Sequence, residues 1–323
     1  MQSSTSAAVN NKLIEPDKRT LGQKLARDFM QHKYKYLLIL PVLIYLGIFA
    51  YRPMYGLIIA FKEFRPALGI WESAWADPWY RHFQVWFQDP FFFRVMRNTF
   101  SLSFLNLIFG FPAPIILALL LNEIRNTKFK RTVQTITYMP FFISMVVVAS
   151  LIRTYVSFDG LFSQIAVFFG GERQNLLMTS QYFYSIFIVS DIWQFIGWNS
   201  IIYLAAISGI DQEQYEAATI DGAGRFQKMF RITLPNLIPI ISILLILRMG
   251  SILNVNFEKV LLLYNEAIFD VADIISTYVY RRGILHTNFS FGAAVGLFNS
   301  VVNVFFLLTA NYISRRRTGN SLF

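Results

Sequence analysis

The chain has 323 residues, of which 55% are hydrophobic, 17% aromatic and only 15% charged. Soluble proteins carry about 25% charged residues, so this composition excludes an ordinary soluble domain and favours a membrane protein. The chain has no cysteine, and its three histidines are far apart in sequence, which excludes a disulfide framework and a cysteine- or histidine-rich metal site. The net charge of +10 invites a nucleic-acid partner, but the positions of the basic residues argue for another origin.

The first 35 residues are polar and carry seven Lys and Arg side chains. They lack the short apolar core and the small-residue cleavage site of a signal peptide. We therefore expect residues 1–35 to form a retained cytoplasmic tail, with a surface-lying helix over Leu21–Tyr34.

Six apolar segments are each long enough to cross a bilayer, which takes about 20 apolar residues. They are Tyr36–Phe61, Val95–Asn122, Val133–Tyr155, Phe183–Ile207, Asn236–Asn256 and Phe291–Ile313. Pro112 and Pro114 predict a kink in the second segment. The sequence therefore predicts an all-α polytopic membrane protein, with residues 36–316 as the transmembrane domain and residues 317–323 as a C-terminal tail.

The basic residues are distributed unequally between the two sides of the predicted membrane. Seventeen Lys and Arg lie on the side of the N-terminal tail and nine on the opposite side. The excess of basic residues on cytoplasmic loops then places both termini and residues 211–235 in the cytoplasm. This asymmetry explains the net positive charge without a nucleic-acid partner.

Residues 211–235, the polar loop, separate the fourth and fifth apolar segments. Asp211 is a good N-cap, and Gln214 follows three residues later as in a capping box. Gly222 and Gly224 offer the left-handed positions that end a helix, and Pro235 stops a second short helix before the next segment. We expect two short helices with a glycine joint that is stiff enough to push and loose enough to swivel.

The polar loop contains a motif that resembles a known family. Its residues 216–223, Glu-Ala-Ala-Thr-Ile-Asp-Gly-Ala, and 232–235, Ile-Thr-Leu-Pro, resemble the EAA loop of type I ABC importer permeases, which have a MetI-like fold. Four further stretches resemble the subfamily of permeases for complex oligosaccharides and polysaccharides. They are Pro53–Phe61, Ser190–Trp193 with Gly197–Asn199, Phe257–Asn265 and Ser276–Arg281. The resemblance covers roughly residues 36–316.

The resemblance implies that the polar loop fits a cleft on an ATPase and converts its closure into reorientation of the spans. The coupling residues that it implies, which have no catalytic role, are Glu216, Ala217, Ala218, Asp221, Gly222, Ala223, Leu234 and Pro235. The alternative is an amphipathic re-entry helix without a partner.

The resemblance also implies the other components of the transporter. The sequence contains no phosphate loop of the form G-x-x-x-x-G-K-[ST], so we expect no cofactor in this chain, with ATP and Mg²⁺ on two partner ATPase subunits. The other implied partners are a second permease subunit that is a paralogue, an extracytoplasmic solute-binding protein, a saccharide and membrane lipid. The implied location is the bacterial cytoplasmic (inner) membrane.

Polar and aromatic residues within the spans are candidates for the substrate path, because burying a polar group without a partner is costly. They are Asp191, Trp193, Gln194, Trp198, Asn199, Arg248, Asn254, Asn256, Asn299 and Asn303. Amides both donate and accept hydrogen bonds, which suits sugar hydroxyls, and indole rings stack on sugar rings. The alternative for each is hydrogen bonding between helices or an interfacial aromatic belt.

Two interpretations of Arg248 stay open. Asp191 and Arg248 lie at comparable depth in their spans, roughly 20–24 Å from the same side at 1.5 Å per residue, so they are expected to form an ion pair. Alternatively, Arg248 binds a carboxylate of an acidic saccharide such as an oligouronide or alginate.

The loop from Trp71 to Phe93 is the densest aromatic stretch, and Trp71, Trp75 and Trp79 are expected to share a helical face. Such density is typical of a segment at the membrane interface, with saccharide stacking or a binding-protein contact as alternatives.

Two other function classes fit the sequence less well. An ion-coupled secondary transporter of a small polar solute would need intramembrane carboxylates, and Asp191 is the only acidic residue well inside a predicted span. A membrane enzyme would need clustered His, Cys or carboxylate residues. The sequence therefore favours the permease subunit of an importer for a complex saccharide.

Overall fold

The computed structural model describes residues 21–323 and, within them, all side chains except those of residues 21 and 23–28. The predicted tail up to residue 20 lies outside the described residues. The described part is all-α, as predicted, with one isolated β-bridge between Lys62 and Trp75. Its α-helices are α1 (Leu21–Leu46), α2 (Arg52–Met54), α3 (Gly69–Glu72), α4 (Arg81–Phe87), α5 (Phe92–Leu105), α6 (Pro112–Glu123), α7 (Thr127–Tyr138), α8 (Met145–Val156), α9 (Leu161–Phe168), α10 (Ser180–Ser208), α11 (Gln212–Ile220), α12 (Arg225–Lys228), α13 (Leu234–Met249), α14 (Phe257–Leu263), α15 (Phe269–Ala272), α16 (Ile275–Val279) and α17 (Phe289–Thr318).

Six helical stretches within the described residues are long and apolar enough to cross a membrane, which confirms the predicted number. We call them spans 1 to 6: Phe29–Phe61, Phe92–Glu123, Met145–Phe168, Ser180–Ser208, Arg225–Met249 and Phe289–Thr318. Spans 1, 2, 4 and 6 agree closely with the predicted segments. Spans 3 and 5 differ, because hydropathy does not register local breaks in a helix.

The predicted third segment, Val133–Tyr155, is divided in the structure. Helix α7 ends at Tyr138, a 3₁₀ turn containing Pro140 follows, and Ser144 caps the start of α8. The proline has no N–H to donate to a continuous helix, so the chain changes direction there. The stretch of spanning length therefore begins at Met145.

The predicted fifth segment extends beyond the end of its helix. Helix α13 ends at Met249, and the following residues form turns in which Ser251 N donates to Arg248 O at 3.2 Å. Asn254 and Asn256 therefore lie past the end of span 5, so their predicted place on the fifth span is wrong. Asn256 instead caps α14, accepting from Lys259 N at 3.1 Å.

The predicted surface helix over Leu21–Tyr34 is helical, but it does not end there. It is the first part of α1, which continues to Leu46 and departs from helical geometry at His32 (φ −118°, ψ 20°). The described residues up to Gly56 form one compact unit, and residues 57–323 form the second, which contains the features described below.

The predicted helical face of Trp71, Trp75 and Trp79 is wrong. Helix α3 has only four residues, and Trp75 lies in the β-bridge to Lys62. All three indole rings are exposed, whereas Trp86 is fully buried.

Buried polar groups fix the segment between spans 5 and 6 to span 2 and to the residues that directly precede span 2. Asn98 Nδ2 donates to the carbonyl of Asp273 at 3.0 Å, and the Tyr278 hydroxyl donates to Asp89 Oδ2 at 2.6 Å. Burial raises the pKa of Tyr278 to about 12, so its hydroxyl remains a donor at neutral pH. These contacts hold the part of the chain that carries α14 in a defined position.

Span 4 packs closely on α7 at Gly197. A Cβ atom added at Gly197 would fall inside van der Waals contact of the Thr137 carbonyl, which is backbone and cannot rotate away. Directly beyond this contact the Trp198 ring stacks on Phe141, with centroids 4.2 Å apart. The close approach therefore depends on the absence of a side chain at residue 197.

We predict that Gly197→Ala destabilises the protein, because the methyl group must separate α7 from span 4. Overpacking of this kind costs about 1–3 kcal/mol. The measurement is the apparent melting temperature of the purified protein in detergent. Gly296→Ala is the control, since an added Cβ there has no neighbour within 4 Å, and it should leave the melting temperature unchanged or slightly raised. An equal effect of the two substitutions would contradict the packing argument.

Candidate functional site

A cavity of about 650 Å³ lies between spans 2, 4 and 5. This volume falls within the range of about 300–1,000 Å³ that is typical of small-molecule sites. Its polar lining residues include Asn106, Asp191, Asn199, Arg248, Ser251 and Asn256. Five of the ten predicted substrate-path residues meet at this cavity: Asp191, Trp198, Asn199, Arg248 and Asn256.

A continuous hydrogen-bonded network of four residues runs along the cavity wall. Arg248 Nη2 donates to Asn106 Oδ1 at 2.8 Å, and Asn106 Nδ2 donates to Asp191 Oδ2 at 2.7 Å. The other carboxylate oxygen, Asp191 Oδ1, accepts from Lys259 Nζ at 3.3 Å. We call Arg248, Asn106, Asp191 and Lys259 the polar network.

The expected direct ion pair between Arg248 and Asp191 is wrong. Among the described residues the cation that pairs with Asp191 is Lys259, and the Asn106 amide lies between Asp191 and Arg248. Comparable depth in spans 4 and 5 does not bring the two side chains into contact, because the side chain of Asn106 from span 2 lies between them. In the sequence, Asn106 stands out as the last polar residue before an apolar run from Leu107 to Leu121, and Lys259 as the basic residue next to the apolar run of residues 260–263.

Asn106 is positioned by a local irregularity in span 2. Residues 106–110 form a π-helical turn in which Phe111 N donates to Asn106 O at 3.0 Å, and α6 begins at Pro112. The π turn inserts one extra residue ahead of the proline, at the place where a kink was predicted. Gly110 leaves room for the amide, since a Cβ there would lie 2.8 Å from Asn106 Oδ1.

Lys259 is fully buried behind Asp191 and does not line the cavity. Its ammonium group also donates to the Phe187 carbonyl at 3.0 Å and lies 4.6 Å from the centre of the Phe187 ring. Burial lowers the pKa of Lys259 to about 8, an effect that the Asp191 carboxylate opposes. The distance of 3.3 Å between Lys259 Nζ and Asp191 Oδ1 has the geometry of a salt bridge.

The other five predicted substrate-path residues lie outside the lining of this cavity. Asn299 Nδ2 and Asn303 Nδ2 both donate to Asn254 Oδ1, at 3.0 and 3.3 Å, and so connect the end of span 5 to span 6. Gln194 is buried and donates to the Ile143 carbonyl at 3.4 Å, while Trp193 is exposed. These contacts correspond to the helix-to-helix alternative for the three asparagines and Gln194.

The first helix of the polar loop is capped nearly as predicted. Asp211 Oδ1 accepts from Glu213 N at 3.0 Å. Gln214 does not complete a capping box, because its side-chain oxygen accepts instead from Asn236 Nδ2 at 3.1 Å. Gly222 has a φ of +79°, which confirms the left-handed position that ends α11. Gly224 has an ordinary φ of −72° and is the N-cap of α12, so its predicted left-handed role is wrong.

The second helix of the polar loop does not stop at Pro235. Helix α12 passes through a π turn at Met229–Thr233 directly into α13, with Pro235 at the second residue of α13. The loop is therefore one separate helix, α11, followed by a helix that is continuous with span 5.

Side-chain hydrogen bonds brace α11 against this continuous helix. The Tyr215 hydroxyl lies 2.8 Å from Thr233 Oγ1, and Lys228 Nζ donates to Thr219 Oγ1 at 2.7 Å. With the bond between Gln214 and Asn236, three contacts bridge the glycine joint. These three contacts therefore hold α11 against the continuous helix on one side of the predicted joint.

The opposite side of the polar loop is open. Of the predicted coupling residues, Glu216, Ala217, Asp221, Gly222 and Pro235 are exposed, whereas Ala218, Ala223 and Leu234 are partly buried. Two large apolar side chains, Ile220 and Phe226, are 87% and 76% exposed beside them. Leu234 packs on a core of residues from spans 2, 4 and 5. The loop thus offers an exposed surface on a firmly anchored base.

Comparisons with known proteins agree on one family. The family model described as "Binding-protein-dependent transport system inner membrane component" matches residues 110–319. The protein LplB of Bacillus subtilis (strain 168) is 45% identical over 90% of this chain and 91% of its own length. The polygalacturonan/rhamnogalacturonan transport system permease protein YteP of the same organism is 44% identical over 96% of this chain and 95% of its own.

Solved structures give the same assignment. A chain of a bacterial ABC transporter involved in the import of the acidic polysaccharide alginate is 42% identical, with a TM-score of 0.84, over 91% of this chain and 99% of that chain. A chain of the bacterial alginate ABC transporter in complex with an alginate pentasaccharide-bound periplasmic protein is 41% identical, with a TM-score of 0.84. The match covers 93% of this chain and 100% of that chain.

The family match spans more than half of the chain, and the identities extend over nearly its whole length. They decide against the secondary transporter and the membrane enzyme. The chain belongs to the binding-protein-dependent transport system inner membrane component family and is a multi-pass inner-membrane permease subunit of a saccharide-importing ABC transporter.

Proposed function

We propose that this permease imports an acidic oligosaccharide and that Arg248 binds one of its carboxylates in the cavity. The observation that carries the proposal is the charge arrangement of the polar network. Asp191 is neutralised by Lys259 at 3.3 Å, whereas Arg248 contacts the neutral amide of Asn106. Among the described residues, the guanidinium of Arg248 therefore remains as the uncompensated charge of the network.

A cation in this position favours a negatively charged ligand. Charge–charge attraction is much stronger in a cavity of low polarity than in water. A guanidinium can hold a carboxylate through two parallel hydrogen bonds, and bonds to charged groups contribute about 1.5–3 kcal/mol each. A neutral sugar would gain a weaker bond and leave the charge of Arg248 uncompensated.

The remaining polar lining suits sugar hydroxyls. Asn199 and Asn256 offer amides that both donate and accept. One face of the Trp198 ring is already covered by Phe141, so the ring offers at most its other face to a sugar. The polysaccharides named for the similar proteins support an acidic saccharide, since alginate, polygalacturonan and rhamnogalacturonan all contain uronate units.

The assembled transporter would contain this chain, a paralogous second permease, two ATPases that hold ATP and Mg²⁺, and a solute-binding protein on the outer side. The alginate transporter bound to its periplasmic protein supports the last of these partners. The asymmetry of basic residues supports cytoplasmic termini and a cytoplasmic polar loop. In this orientation the exposed side of α11 faces the ATPase.

The continuous helix from α12 to α13 gives a physical route for coupling. It begins at Arg225 in the polar loop and carries Arg248 about 22 Å beyond Thr233 at 1.5 Å per residue. A displacement of α11 by the ATPase is passed on through the bond between Tyr215 and Thr233. Reorientation of span 5 would then move Arg248 relative to Asn106 and release the saccharide.

We predict that Arg248→Gln selectively impairs import of an acidic saccharide. Loss of one charge-assisted bond should raise KM about 10- to 150-fold for tetragalacturonate but less than about threefold for its carboxyl-reduced counterpart, tetragalactose. The measurement is uptake of both sugars by the assembled transporter in proteoliposomes.

The control is Arg173→Gln. Arg173 forms an exposed pair with Asp159, which contributes little to stability, so uptake of both sugars should be unchanged. Equal losses of both sugars with Arg248→Gln would contradict recognition of a carboxylate and would indicate a structural role for Arg248.

We predict that Gly222→Leu lowers saccharide import and import-coupled ATP hydrolysis together. A side chain at a φ of +79° costs about 1–2 kcal/mol and displaces the end of α11. The measurement is ATP hydrolysis by the assembled transporter with saccharide-loaded binding protein, whose affinity for the sugar should be unchanged. Gly224→Leu is the matched control, because φ there is −72° and the nearest atom to an added Cβ is 3.9 Å away. Similar activity of the two variants would argue against a force-transmitting joint.

A further inference from the structure

We infer that Lys259 sets the charge selectivity of the cavity by neutralising Asp191 from behind, which leaves Arg248 free to bind an anion. This inference rests on the proposed import of an acidic oligosaccharide. It makes Lys259 a positioning residue, since it touches Asp191 and not the cavity.

Asp191 is held from two sides. Its Oδ1 accepts from Lys259, and its Oδ2 accepts from Asn106 at 2.7 Å. The carboxylate lines the cavity, but both of its oxygens are engaged by donors of the chain. Without Lys259 this carboxylate would carry an unbalanced negative charge at the place where an acidic saccharide is expected to bind.

The distances decide which cation compensates Asp191. Lys259 Nζ is in direct contact with the carboxylate, whereas Arg248 is separated from it by the Asn106 amide. Electrostatic attraction falls with distance, so Lys259 is the main counterion. The polar network then has a net charge of +1, and the unbalanced part is on Arg248.

The Asn106 amide connects Asp191 to Arg248 through one hydrogen bond on each side. A carboxylate only accepts hydrogen bonds, so Asn106 turns its NH₂ group toward Asp191 and its oxygen toward Arg248. Removing the Lys259 charge would leave Arg248 as the nearest cation to Asp191. Arg248 would then compensate Asp191 and lose its availability for a substrate carboxylate.

The charge balance can be removed and restored by substitution. Lys259→Met removes the cation. The cavity should then no longer prefer an acidic sugar over a neutral one. Adding Asp191→Asn removes the anion as well, restores the net charge of +1 on Arg248, and retains an acceptor oxygen for Asn106. A purely structural role for Lys259 predicts equal losses for an acidic and a neutral sugar in the single variant, so the ratio of the two KM values would not change.

The experiment is uptake by the assembled transporter in proteoliposomes, with tetragalacturonate and tetragalactose as matched probes. We expect Lys259→Met to raise KM for tetragalacturonate at least about tenfold and that for tetragalactose less than about threefold. The double variant Lys259→Met/Asp191→Asn should return the ratio of the two KM values to within about threefold of wild type. Equal impairment of both sugars without recovery in the double variant would overturn the inference.

A matched control and a folding safeguard complete the test. Lys62 is also buried, but it donates to the carbonyls of Ile70, Trp71 and Ser73 away from the polar network, so Lys62→Met should not alter the ratio of the two KM values. If Lys259→Met fails to assemble, the double variant decides alone: wild-type selectivity supports the inference, and lost selectivity overturns it.

Failure of the proposed function gives a different result. In that case wild type shows no preference for tetragalacturonate, and Arg248→Gln affects both sugars equally. If Arg248→Gln is charge-selective and Lys259→Met is not, only the inference about Lys259 fails.

Discussion

The ion pair between Asp191 and Lys259 is the interaction on which the proposed recognition depends. Burying a carboxylate or an ammonium alone is costly, and the two groups offset each other's cost only when they remain in contact. The pair fixes one end of the polar network, so the Asn106 amide has one favourable orientation and Arg248 has a defined neighbour. The cavity thereby gains a positive charge from a network that contains both signs.

The same helix that carries Arg248 begins in the polar loop, which is the feature that we propose links transport to an ATPase. Helix α11 is braced to it by hydrogen bonds, and a π turn replaces the expected break at Pro235. The base of the loop is packed against spans 2 and 4. A rigid connection of this kind suits a displacement that must travel about 20 Å along one helix without being absorbed by a flexible loop.

Hydropathy alone predicts the six spans, because the bilayer requires long apolar helices whatever their packing. The sequence also predicts the caps of the polar loop at Asp211 and Gly222, since these depend on local backbone geometry. The breaks at Pro140 and Gly250 are not predicted, because hydropathy does not register a local break in a helix. The partners of Asp191 depend on contacts between residues 85 and 68 positions apart, which no single span reveals.

The most direct test of acid recognition is an experimental structure of the assembled transporter with tetragalacturonate trapped in the cavity. The account predicts a uronate carboxylate about 2.7–2.9 Å from the guanidinium of Arg248, with Lys259 still paired to Asp191. A saccharide bound in the cavity with its carboxylates away from Arg248, or an Arg248 paired directly with Asp191, would contradict it.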